Sequence, residues 1–219
     1  MFNYDNVFFR FMSKVADVMI VSLLWLLFSI PVVTLGPSTS ALYYTVHKVI
    51  KGGREYVWRS FWGEFKNHIK DSIICTVIVE LLFALLLYDM YFFQKVLIQN
   101  PDGALGFLYY FFYILLFLEV IWGIYVFCYR ARFEMGWRGS LLNGFKFFIS
   151  NFGWSMLIVL GLIVCVIIVR DMPFFIFVLP ALMALLCDFV MERVFRLVMT
   201  DEELLREREN DMDAKHFED

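Results

Sequence analysis

The sequence predicts an all-α membrane protein with about five transmembrane helices and amphipathic helices at the membrane surface. Three observations lead there: an extreme apolar composition, apolar runs of bilayer length, and a lopsided distribution of Lys and Arg. Of 219 residues, 61% are hydrophobic and 20% aromatic, against about 45–50% apolar in an ordinary soluble domain. A soluble fold of this size would lack the polar residues to cover its surface without large sticky patches.

A span needs about 20 mostly apolar residues, within a range of about 17–25. Five stretches qualify: about 15–35, 73–93, 105–129, 152–169 and 174–196. The fourth has a short pure core, Met156 to Val169, and reaches full length only with Phe152 and Trp154. Of the 19 basic residues, only Arg10, Lys14, Lys95 and Arg170 fall outside one set of alternate segments. The positive-inside rule then places the N-terminus outside and the C-terminus in the cytoplasm of a multi-pass cell-membrane protein. Residues 1–199 read as a single multi-pass membrane domain, and 200–219 as an acidic cytoplasmic tail. Thr200-Asp201-Glu202-Glu203 fits a capping box opening that tail.

The first span closes on "SIPVVTLGPSTS", Ser29 to Ser40. Pro31 disfavours helix at Ser29–Ile30, and Gly36-Pro37 is expected to end the helix. Ser38 or Thr39 would cap a new amphipathic helix from about Ser40 to Ile50, lying along the inner membrane surface. Arg10, Lys14 and the apolar run imitate a secretory signal. However, the run exceeds the roughly 7–15 residues of such a signal's core, and a basic segment follows it.

"LLWLLFSIPVVTLGPSTSALYYTVHKV", followed by "SFWGEFKNHIKDSI", resembles the YesL-like family of bacterial integral membrane proteins. Pro31, Thr34, Gly36, Pro37, Ala41, Leu42, Tyr43 and Tyr44 are the most specific part of the likeness, which extends over most of the chain. Many members place an Asn in the first span, where this chain offers only Ser22. The resemblance implies a multi-pass cell-membrane protein, often encoded near carbohydrate uptake systems, with no established activity to carry over.

An internal repeat is also suggested. "EYVWRSFWGEFK" (Glu55–Lys66) is echoed by "EMGWRGSLLNGFK" (Glu134–Lys146), and "DMYFF" (Asp89–Phe93) by "DMPFF" (Asp171–Phe175). Lys66 to Asp89, and Lys146 to Asp171, each span about 35 Å of helix, one bilayer. Units of about 15–93 and 105–175, followed by the fifth span at about 174–196, would form a parallel two-fold repeat. Such a repeat puts Trp58 and Trp137 in equivalent environments. Trp58, Arg59, Phe65 and Lys66 in one copy, and Trp137, Arg138, Phe145 and Lys146 in the other, read as interfacial anchors. Their rings sit at headgroup level while the cations meet lipid phosphates.

Three carboxylates interrupt the spans: Glu80, Glu119 and Asp188. Charge at the membrane centre costs at least about 2.5–3.5 kcal/mol on insertion scales, so these residues form a candidate intramembrane polar site. Protonation or interhelical hydrogen bonding is the alternative for all three. The four-residue spacing of Asp188, Glu192 and Arg196 suggests pairing along one helix face.

Cys75, Cys128, Cys165 and Cys187 show no ligand spacing and read as packing residues. His47, His68 and His216 are scattered, so the sequence supports no His-based metal site. No catalytic motif, cofactor or nucleic-acid partner is expected. The expected partners are the lipid bilayer and membrane transport components. The leading expectation is a non-enzymatic accessory or regulatory protein of carbohydrate uptake, the carbohydrate link resting on the family resemblance. The alternative is a small secondary transporter or channel using Glu80, Glu119 and Asp188.

Overall fold

The computed structural model describes residues 7–52, 56–67, 69–99, 106–133 and 135–196, with side chains in the first helix from Met12 onward. The acidic tail and its capping box lie outside the described residues. In chain order the elements are α1 (Val7–Phe28), a 3-10 turn (Val32–Thr34), α2 (Leu35–Thr45) running into a π-helical segment (Val46–Lys51), α3 (Val57–Asn67) and α4 (Ile69–Gln99). There follow α5 (Gly106–Phe133), α6 (Trp137–Ser150), α7 (Phe152–Asp171), a second 3-10 turn (Pro173–Phe177) and α8 (Leu179–Arg196). No strand occurs among the described residues.

Among the described residues three helices are long and apolar enough to cross a membrane: α4, α5 and α7. At about 1.5 Å per residue the shortest, α7, runs about 30 Å, the thickness of a hydrocarbon core. The most apolar stretches of α4 and α7 are each only 17% buried in protein. Leu81, Leu85 and Tyr88 on α4 and Leu160, Val166 and Ile167 on α7 face outward, an arrangement lipid accommodates and water does not. α1 presents a similar outward face at Ile20, Leu23 and Leu27. α8 differs, because its 18 residues include Asp188, Glu192, Arg193 and Arg196, with both acids buried.

The central pair, α4 and α5, is antiparallel. Arg130 bonds Ser72, Gly123 faces Val79, and Phe93 stacks on Phe112 with centroids 5.2 Å apart. α8 is tied to α1 by Ser22, whose hydroxyl accepts from the Ala181 N–H at 3.2 Å and reaches the Val178 carbonyl at 3.5 Å. That places a cap for the first turn of α8 on another helix, 159 residues away, and satisfies one of the N–H groups a helix start leaves unpaired.

The course of α2 corrects the sequence-based expectation. The helix begins at Leu35 rather than Ser40, and Gly36-Pro37 occupy its first turn instead of ending a helix. It does not lie along a surface. Gly36, Pro37, Ser38, Ser40, Ala41, Leu42, Tyr43 and Thr45 are buried, with α1, α3, α4, α5 and α8 packed around them. The hydroxyls that read as polarity in the sequence are consumed locally. Ser38, Thr39 and Thr45 each donate to the carbonyl four residues earlier, and Ser40 donates to the Phe127 carbonyl of α5 at 3.1 Å. With their donors satisfied, these side chains pack as small apolar groups.

The repeat is legible in element order but not in packing. A short helix precedes a long one twice, α3 before α4 and α6 before α7. Yet Trp58 is 57% exposed and stacks on Trp62 at 6.0 Å, whereas Trp137 is half-buried against Cys75, Val126 and Phe127. The two tryptophans therefore occupy different environments, which counts against a two-fold.

Phe65 is likewise no surface anchor. It is buried, with its ring 5.2 Å from Phe28 and 6.2 Å from Phe61, so the aromatic face of α3 covers α1. Arg59, Lys66, Arg138, Phe145 and Lys146 are exposed. Lys66 and Arg138 lie over the Trp62 and Trp137 rings at 4.7 and 4.9 Å.

A candidate functional site between α2, α5 and α8

The residues Pro31 to Pro37 set the entry of α2 into the bundle. Pro31 lies just beyond α1, in extended geometry before the 3-10 turn. The Thr34 hydroxyl turns back to donate to the carbonyls of Phe28 at 2.6 Å and Pro31 at 2.8 Å. It thus satisfies an acceptor that the end of α1 leaves open. Gly36 then lets α2 pass against two helices at once. A Cβ there would overlap the Thr76 Oγ1 of α4 and the Phe127 ring of α5. Pro37 sits in the first turn, where a missing N–H costs nothing.

So positioned, α2 delivers its far end to α8. His47 Nδ1 lies 2.6 Å from Asp188 Oδ1, and Lys51 Nζ donates to Asp188 Oδ2 at 2.8 Å. Arg132, at the end of α5, donates from Nη1 to His47 Nε2 at 3.3 Å, and its Nη2 lies 3.6 Å from Glu192 Oε1. Arg196 Nε lies 3.7 Å from Glu192 Oε2. An ionised carboxylate only accepts and a guanidinium only donates. The ring between them is therefore oriented to donate from Nδ1 to Asp188 and to accept at Nε2 from Arg132.

Burial raises the stakes of this pairing. The Asp188 side chain is 2% exposed, and both its oxygens are engaged. Lys51 is 47% exposed and His47 24%, so the network opens toward solvent on the α2 side. Tyr43 lies one turn before His47 with its ring parallel at 6.5 Å. Burial holds its phenol well above the usual range, keeping it neutral.

The sequence-predicted polar residues part company here. Asp188 joins His47, Lys51, Arg132 and Glu192, and Glu192 pairs with Arg196 along the helix as its spacing suggested. Glu80 and Glu119 are not part of this network. Both Glu119 oxygens are buried without a hydrogen-bond partner among the described residues, as is one Glu80 oxygen.

Taken singly, His47, Lys51 and Arg132 carry no sequence signal of a site, whereas Glu192 is marked by its spacing from Asp188 and Arg196. Taken as pairs, His47/Lys51 and Asp188/Glu192 are complementary at four-residue spacing in two segments.

A second buried cation was also missed. Arg130 is 1% exposed, donates from Nε to Ser72 Oγ at 2.6 Å and from Nη1 to the Met135 carbonyl at 2.8 Å, and approaches Asp71 at 3.7 Å. It fastens α4, α5 and the start of α6 together.

His47, Asp188 and Glu192 offer one ligand atom each, all within 4.8 Å of one another. Folding thus brings His47 to two carboxylates of α8 that lie 141 and more positions further along the chain, a proximity that sequence spacing does not display.

A family model described as "Protein of unknown function, DUF624" matches residues 18–90. The match runs from within α1 to within α4 and includes Pro31, Thr34, Gly36, Pro37, His47 and Lys51. No curated protein and no solved structure matches the chain.

Proposed function

We propose that the chain is a five-span membrane protein, with its N-terminus outside and its C-terminus in the cytoplasm, that serves as a non-enzymatic accessory or regulatory component of carbohydrate uptake. The observation that carries this reading is the engagement of both Asp188 oxygens by His47 and Lys51. A carboxylate held this way ties two segments of the chain together, a structural use of an intramembrane acid rather than a place on a transport path. α1 and α8 complete the five spans. The outward apolar face of α1 supports its place, and inward pairing of the acids of α8 offsets the cost of charge in a spanning helix.

The carbohydrate link rests on the resemblance to the YesL-like family. Capture of the protein from native membranes after crosslinking tests it. Co-purification of sugar-permease components supports the accessory role, and their absence, together with sugar uptake by vesicles holding this protein alone, refutes it.

One observation favours a second reading, a small transporter or channel. Glu119 sits halfway along α5, buried and without a hydrogen-bond partner among the described residues, and an intramembrane carboxylate of that kind is a candidate ion or proton position.

A further inference from the structure

We propose that His47 Nδ1, a carboxylate oxygen of Asp188 and a carboxylate oxygen of Glu192 form a binding site for one divalent transition-metal cation, with Zn²⁺ the best match. The proposal does not depend on the carbohydrate reading.

The geometry is close to what such an ion requires. Zinc binds imidazole nitrogen and carboxylate oxygen at about 2.0–2.2 Å. Donors on a tetrahedral ion are therefore about 3.3–3.6 Å apart. Here Nδ1 lies 2.6 Å from Asp188 Oδ1 and 3.7 Å from Glu192 Oε1, so the Asp188 side must open by about 0.7–1 Å and the Glu192 side close by a few tenths, within reach of a side-chain rotation. The ligands come from two packed elements, the π-helical segment and α8, rather than from one flexible loop.

Glu192 supplies an independent indication. The residue is 7% exposed, yet its Oε1 has no hydrogen-bond partner and is aimed at His47 Nδ1. Its nearest guanidinium nitrogen, Arg132 Nη2, stands 3.6 Å away, an ion pair too long for a hydrogen bond, so a cation between Oε1 and Nδ1 would give that buried oxygen the close partner it lacks.

Binding is an exchange of cations. The two carboxylates balance the charge of one divalent ion. Lys51, half-exposed on a flexible stem, releases Asp188 and moves into solvent. The ring proton relocates from Nδ1 to Nε2, which requires the Arg132 Nη1 to turn away from that nitrogen. One nitrogen and two carboxylates suit a first-row transition ion, whereas Mg²⁺ and Ca²⁺ seek six or more oxygens. A water completes a four-coordinate set.

The test uses full-length protein without a polyhistidine tag, purified in detergent and stripped with chelator. Zn²⁺ is titrated against a chromophoric competitor, and Co²⁺ by its visible ligand-field absorption. The expected result is one equivalent bound, weakened at least tenfold by His47→Gln and by Glu192→Gln, and tightened by Lys51→Ala, which removes the competing ammonium. Unfolding profiles establish that each variant is folded. The tightening by Lys51→Ala cannot arise from misfolding. Absence of stoichiometric binding to both wild type and Lys51→Ala overturns the site. So does binding that His47→Gln and Glu192→Gln leave unchanged, or a Lys51→Ala variant that binds no tighter than wild type.

Discussion

Asp188 of α8 accepts a hydrogen bond from His47 of the π-helical segment at 2.6 Å, joining residues 141 apart in the chain. The bond matters because Asp188 is 1% exposed, so its charge has few alternatives to the partners that surround it. Removing His47 leaves Asp188 with Lys51 alone, at a cost of about 1–3 kcal/mol. A double-mutant cycle with His47→Ala and Asp188→Ala, read by unfolding in detergent, is expected to show a coupling of about 1–3 kcal/mol. Additive single mutants would mean that the pair contributes nothing as a pair.

Gly36 marks the closest approach of α2 to α4 and α5. Gly36→Ala forces Thr76 and Phe127 to shift and is expected to destabilise by about 1–3 kcal/mol. Gly63 of α3 has open space where a Cβ would go, and Gly63→Ala should be neutral or stabilising by up to about 1 kcal/mol. Equal effects at the two positions would contradict the tight wedge.

Arg130 holds Ser72 and the Met135 carbonyl with two different nitrogens of its planar group. An ammonium cannot reproduce that fork. Arg130→Lys is expected to lower stability by about 1.5–3 kcal/mol. A variant as stable as wild type would show that the fastening of α4, α5 and α6 lies elsewhere.

Glu119→Gln separates the accessory and transport readings. The substitution keeps shape and hydrogen-bonding capacity while removing titration. In the accessory reading the variant assembles at near-normal level, loses at most about 1–2 kcal/mol, and supports whatever sugar-dependent growth the wild type supports. A folded Glu119→Gln protein that had lost all activity would move the assignment to a transporter.

The helices were legible because apolar run length is written directly in the sequence, and α4, α5 and α7 follow those runs. The burial of α2 was not. Ser38, Thr39, Ser40 and Thr45 look polar in a sequence, and only the coiled helix shows their hydroxyls spent on their own backbone and on Phe127. Gly36-Pro37 is ambiguous for a related reason, since the same dipeptide can close one helix or sit in the first turn of the next. Choosing between them required knowing that Thr76 and Phe127 crowd that spot. In the polar site, Asp188 stood out as a charge in an apolar run, and Glu192 with Arg196 by spacing. His47, Lys51 and Arg132 did not, because nothing local distinguishes a cation that folds inward from one that meets water.

The proposed topology has five spans with the Lys- and Arg-rich end of the bundle in the cytoplasm. In a chain with Cys75, Cys128, Cys165 and Cys187 replaced, single cysteines at Gly53, Gly139 and Gly103 are treated in intact cells with an impermeant thiol reagent. The expected result is labelling at Gly103 alone, with Gly53 and Gly139 reacting only after the membrane is opened. Labelling at position 53 in intact cells would contradict the proposed orientation.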